Sequence, residues 1–153
     1  MKAFRLLFLA ACVLGLCLAA QAQEAPESVS GSGGTLTAPI TLGQNITVSG
    51  IRLANGQSAT LSCPVTFFGL STYKWKWNCA KGTLYVNGAS TAKVSGSMTL
   101  TCSGGGRIRP TTCWHVFSGT ALDTDSDTGS ITVSAKGGAN NAPGSVTAFS
   151  ASW

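Results

Sequence analysis

The sequence predicts a small all-β domain, an antiparallel β-sandwich or Greek-key barrel held by two disulfides, behind an N-terminal signal peptide. Three observations predict it. From Thr35 onward, short runs of Thr, Val, Ile, Leu and aromatic residues alternate with clusters of Gly, Asn and Ser, and no stretch keeps a helical period. Four cysteines, Cys63, Cys79, Cys102 and Cys113, follow the leader in even number. The chain itself opens on Met1-Lys2-Ala3-Phe4-Arg5, an apolar run from Leu6 to Ala20, and Ala20-Gln21-Ala22. A positive start, a short apolar stretch and small residues two apart are the parts of a secretory signal.

Cleavage is expected after Ala22, so that residues 1–22 form the signal. The apolar run is shorter than the roughly 20 residues of a membrane-spanning helix, and no later segment approaches that length. Leu9-Ala10-Ala11-Cys12 also fits a bacterial lipobox, but apolar residues continue well past Cys12, which favours loss of Cys12 and Cys17 with the signal. Removing the first 22 of 153 residues takes away Lys2 and Arg5, and leaves eight basic against five acidic side chains, a net charge near +3. That balance makes no electrostatic claim on nucleic acid. Export places the four remaining cysteines in an oxidising compartment. With neither a Cys-x-x-Cys pair nor a second His, they read as disulfides and not as a zinc site.

Residues 23–34, rich in Ser, Gly and Glu, read as a flexible leader, and residues 35–153 as one domain. Strands are expected near 35–42, 45–53, 58–68, 73–79, 83–87, 91–102, 112–118, 129–136 and 145–153. Asn55-Gly56 and Asn87-Gly88 mark tight turns, because both residue types tolerate positive φ. If Leu61 to Cys79 folds back about Ser71, Cys63 faces Cys79, Val65 faces Trp77 and Phe67 faces Trp75. Lys74, Lys76 and Asn78 then point to the opposite face. Four cysteines allow three pairings, and this parity favours Cys63 with Cys79 and Cys102 with Cys113.

Tyr73, Trp75 and Trp77 form an aromatic stripe interleaved with Lys74 and Lys76. Its one-sided pattern suits a core face; exposed, it would stack on sugar rings or bases, with Trp114 as a further platform. Asp123, Asp125 and Asp127 share one short loop and partly resemble a calcium site, calcium being the one cofactor the sequence suggests. The match to an EF-hand is incomplete, because Thr128 stands where Gly is needed and Ser134 where Glu is needed. Gly104 to Pro110, with Arg107 and Arg109, lacks the Gly-Lys-Ser/Thr of a phosphate loop and reads as a connection closed by a disulfide. His115 is the single histidine, and no Gly-x-Ser-x-Gly elbow accompanies it. Outside the leader the only carboxylates share one loop, which is unlike the paired acids of a glycosidase. No enzyme is expected. The alternating Phe149, Ala151, Trp153 terminus resembles the last strand of an outer-membrane barrel, but a closing strand of the domain suits the rest better.

Thr35-Leu36-Thr37-Ala38-Pro39, Leu61-Ser62-Cys63-Pro64-Val65-Thr66-Phe67 and Val94-Ser95-Gly96-Ser97, together with the signal, resemble the small secreted proteins called protein activators of alkane oxidation. The resemblance spans most of the mature chain and implies a protein that helps cells use or emulsify hydrocarbons and contributes to surface or biofilm material. It implies no catalytic residue. The Tyr73 to Trp77 pattern departs from it. The expectation is therefore a non-catalytic secreted accessory or matrix protein whose partners are hydrocarbon interfaces, extracellular polysaccharide or other copies of itself. The alternative is a secreted carbohydrate-binding module with an optional calcium loop.

Overall fold

The computed structural model describes residues 27–71, 74–103, 112–123, 125, 127–137 and 142–153. Nine strands form one antiparallel sheet: β1 (Ser28–Ser32), β2 (Thr35–Thr37), β3 (Asn45–Leu53), β4 (Ser58–Ser71), β5 (Lys74–Val86), β6 (Ala89–Ser103), β7 (Thr112–Leu122), β8 (Thr128–Gly137) and β9 (Gly144–Ser152). From β3 to β9 each strand pairs with its successor, and β2 pairs with both β3 and β9. The sheet thereby closes into an eight-stranded barrel. β1 is an extra strand in line with β2, bonded to the same two neighbours. The all-β expectation holds, and of its two forms the barrel is the one adopted. Its strand order is an up-and-down meander and not a Greek key, because from β3 to β9 each strand pairs with the next in sequence.

Two-residue alternation builds the barrel wall. An eight-stranded barrel has an interior just wide enough for side chains to fill. The inward positions supply them: Ile46 and Val48 of β3, Leu61 of β4, Trp77 of β5, Met98 and Leu100 of β6, Phe117 of β7 and Val133 of β8 have no exposed surface. Outward positions are mostly polar, as in Thr128, Ser130, Thr132, Ser134 and Lys136 of β8. Across the β8–β9 pair the hydroxyls of Thr132 and Ser150 lie 2.7 Å apart in a hydrogen bond. A membrane barrel needs an apolar outer band, whereas this wall is mostly polar outside, and the last strand closes the domain as expected. Trp153 instead closes one end of the interior. It is almost fully buried, and its Nε1 donates to Glu27 Oε2 at 3.2 Å.

Sequence composition misleads about the leader. Residues 28–32 form β1, with Ser28 to Gly31 paired to Ser152 to Phe149. Val29 packs against the core. Ser and Gly here serve close backbone approach: Gly34 has φ of +82°, and a Cβ there would run into the Ser49 carbonyl. The signal and residues 23–26 lie outside the described residues. A second difference concerns the strands expected at 73–79 and 83–87, which are one strand, β5. A bulge between Cys79 and Gly82, with Lys81 at φ 59°, carries the ladder through the break.

The strand directions give the barrel two unlike rims. The upper rim carries the β2–β3 connection, the C-terminal ends of β4, β6 and β8 and the N-terminal ends of β5, β7 and β9. The lower rim carries the Asn55-Gly56 and Asn87-Gly88 turns, the Asp123 to Asp127 loop, Glu27 and Trp153. Asn87 and Gly88 both have positive φ between Val86 and Ala89, as a two-residue hairpin requires.

Both favoured disulfides are present. Cys102 and Cys113 are direct cross-strand partners with Cα atoms 4.0 Å apart. Cys63 and Cys79 bridge β4 and β5 at 5.7 Å, although the residue opposite Cys79 is Val65. Two disulfides point to an oxidising compartment. Each closed loop contributes about 3 kcal/mol in the chain-entropy model. Cys63 and Cys79 are buried whereas Cys102 is half-buried, so their removal also costs packing. Equilibrium urea unfolding should therefore show Cys63→Ala/Cys79→Ala losing more stability than Cys102→Ala/Cys113→Ala, by roughly 1–2 kcal/mol.

Candidate functional site

Two surface features at the upper rim stand out, and both follow from how β4 and β5 pair. Ser71 faces Lys74, Leu70 faces Trp75 and Phe68 faces Trp77, after register shifts between Ser62 and Val65 and between Val65 and Phe67. The expected pairs Val65 with Trp77 and Phe67 with Trp75 are thus displaced. The first shift adds a residue to β5, and the second adds one to β4 and inverts the parity of β4 beyond Val65, so Phe68 turns inward and Phe67 outward.

Trp77 is a core residue and not a ligand platform, which corrects its place among the candidate binding residues. It has no exposed surface, and its Nε1 donates to the Pro39 carbonyl at 2.6 Å, tying the β2–β3 connection across the barrel mouth. Trp75 is half-buried on the same face. With Phe68 the two indoles form a tilted cluster whose ring centroids lie 5.4–5.9 Å apart. Tyr73 lies outside the described residues.

Around this cluster the upper rim exposes large apolar side chains that the sequence reading did not single out. Ile40 is 59%, Leu42 62%, Phe67 50% and Leu70 64% exposed. Gly43 N donates to Val65 O and Val65 N to Gln44 O, so the β2–β3 connection carrying Ile40 and Leu42 lies along the end of β4. Residues 38–42 were expected to extend the first strand, yet β2 stops at Thr37. The signal that marks the connection is Pro39, which has no N–H for a ladder.

The second feature is Trp114, on the outer wall. Alternation along β7 turns Cys113 and His115 inward and leaves Trp114 42% exposed. Lys136 is its direct partner on β8, with Nζ 5.8 Å from the indole centroid. Thr101 lies on the other side of Trp114, and Lys74 beyond Thr101. One strand step further down the wall runs Lys76, Thr99, Val116 and Ser134. Lys74 and Lys76 are exposed on the face opposite the aromatic stripe, as expected.

The acidic loop has a local task. Asp123 Oδ1 accepts the backbone N–H groups of Asp125 and Asp127, each at 2.9 Å, and so caps its own turn. Among the described residues no group of three His, Cys, Asp or Glu side chains is arranged to hold a metal ion. The calcium reading therefore gains nothing from the geometry. Residues 104–110 lie outside the described residues. A groove of about 390 Å³ on the lower half of the wall is lined by Lys81, Lys93, Val94, Ser95, Thr120 and Leu122, without an aromatic platform.

His115 points into the barrel opposite Leu100 and is 1% exposed. Gly137 and Gly144 make its space: a Cβ at Gly144 would approach Nδ1 to 2.8 Å. Nδ1 has no hydrogen-bond partner among the described residues. The described carboxylates, Glu27, Asp123, Asp125 and Asp127, all lie at the lower rim, away from this ring. Comparison with protein-family models, with curated proteins and with solved structures finds no match.

Desolvation by burial pushes the His115 pKa below its ordinary 6.5. The folded chain thus holds a neutral ring at a pH where the unfolded chain already binds a proton. Protonation favours the unfolded state, so stability present above pH 6.5 is lost as the pH falls through 6.5 toward the lowered folded value. Urea midpoints should drop between pH 7 and pH 5, above the ordinary carboxylate range near about 4. His115→Leu should flatten that part of the profile.

Proposed function

We propose that the mature chain is a non-catalytic exported accessory protein that attaches to apolar interfaces through its upper rim. The observation that carries this reading is that the four most exposed large apolar side chains among the described residues, Ile40, Leu42, Phe67 and Leu70, lie at one end of the barrel. Such patches on soluble domains mark contact surfaces. Full burial of a large apolar side chain is worth about 1.5–3 kcal/mol, so four half-exposed ones supply several kcal/mol on adsorption. The resemblance to alkane oxidation activators suggests hydrocarbon as the interface, or the surface material of a biofilm. Closure of the barrel leaves little free edge for strand addition, which favours attachment by side chains over attachment by edges. Disulfides and the signal-like start support a destination outside the cytoplasm.

A second reading, binding of extracellular carbohydrate, is favoured by one residue. Trp114 alone among the described candidate aromatics stands exposed on the polar wall. In both readings the chain is not an enzyme. Its buried imidazole and its described carboxylates occupy opposite ends of the barrel.

Adsorption of the oxidised mature protein at a hexadecane–water interface tests the first reading. The triple variant Ile40→Ser/Leu42→Ser/Leu70→Ser should keep its melting temperature, since the side chains are exposed, and lose most of its interfacial activity. Adsorption equal to that of the parent protein would remove the rim from the explanation.

A further inference from the structure

We propose that the outer wall of β5 to β8 beside the upper rim binds carboxylated polysaccharide. The Trp114 indole stacks on a sugar ring, and Lys74, Lys76 and Lys136 meet the carboxylates. The inference rests on the carbohydrate reading above and names its ligand class.

The wall places the needed groups in one row. Reading across the strands, Lys74, Thr101, Trp114, Lys136 and Ser145 are successive partners, all exposed. Neighbouring strands lie about 4.8 Å apart, so the row offers one side chain per step, a repeat close to the length of one pyranose unit. An aromatic face takes the C–H side of a sugar ring, and hydroxyls such as Thr101 and Ser145 suit its hydroxyl rim. Lys136 already sits beside the indole. It braces the ring while keeping an ammonium next to any carboxylate on the stacked sugar.

Charge favours an acidic glycan over a neutral one. The described carboxylates all lie at the lower rim, whereas Lys74, Lys76 and Lys136 lie on the upper half of the wall. An anionic chain therefore meets cations there and no carboxylate among the described residues. Nucleic acid fits less well. Tight phosphate binding uses roughly 6–10 cationic contacts, and among the described residues this wall offers three with a single stacking platform.

Binding of the oxidised mature protein to polygalacturonate, a neutral β-glucan, polyglutamate and single-stranded DNA, measured by calorimetry and affinity electrophoresis, decides the matter. Polygalacturonate should bind best, and less well as salt rises. Trp114→Ala should weaken binding about tenfold or more, the loss typical of a stacking platform. Trp114→Tyr should restore most of it, and Lys136→Gln should weaken it severalfold. These side chains are exposed, and an unchanged melting temperature reports an intact fold. Equal affinity for polyglutamate would reduce the site to bare charge, and tighter binding of DNA would replace the ligand class; either overturns the proposal, as does a Trp114→Ala variant that binds normally. Preference for the neutral glucan would overturn it but leave the carbohydrate reading standing, whereas no binding to either glycan removes both. Trp114→Ala should adsorb at hexadecane as the parent does, so the rim reading fails or stands separately.

Discussion

Closure of the barrel rests on one seam. β1 and β2 fill a single strand position between β3 and β9, and without them both neighbours would present open edges. The seam is split at Gly33-Gly34, where the ladder continues through Gly33 N to Val146 O and Val146 N to Gly34 O. Closure sets the interior size, and the interior size decides which side chains fit. Trp77, Phe117 and Met98 fill it from three successive strands. Trp153 and Glu27 then bring the two ends of the domain together at the lower rim. The composition of residues 28–34 suits this task, because small residues let three backbones lie close.

The same closure gives the two ends of the barrel unlike surfaces. The lower rim is made of short turns, a self-capped Asp loop and a buried Trp153, all groups that satisfy themselves. The upper rim is different. β4, β5 and β6, at 14, 13 and 15 residues, are the longest strands, and their upper ends carry the aromatic cluster and Leu70. The Trp77 bond to Pro39 ties the β2–β3 connection to that cluster. Apolar exposure at this rim is thus built on a rigid base, and the neighbouring wall is polar and basic.

Much of the fold was legible because alternation and turn chemistry are local. β3 runs over Asn45–Leu53 as its pattern foretold, and Asn87-Gly88 makes the expected hairpin. The Cys102–Cys113 pair was legible for a related reason, since facing positions in an antiparallel pair bring sulfurs together, whereas Cys63 and Cys79 are joined although the register that suggested them is displaced. The site was less legible. A register shift between Val65 and Phe67 adds a residue to β4 and inverts its parity beyond Val65, so Phe67, expected inward, is exposed, and the predicted partner of Trp77 is replaced by Phe68. Bulges of this kind leave little mark in composition.

By itself the sequence determined the all-β class, the strand-and-turn rhythm, the Cys102–Cys113 pair and the outward placement of Lys74 and Lys76. Each depends on neighbours a few residues apart or on a two-residue period. Only the tertiary structure decided that Ser28–Ser32 is a strand, that Trp77 is core while Trp114 is surface, and that Ile40, Leu42, Phe67 and Leu70 share a rim. The physical reason is closure. Which face of a strand is inside, and which ends meet, is set when the first strand position bonds to the last, a contact between residues more than a hundred positions apart.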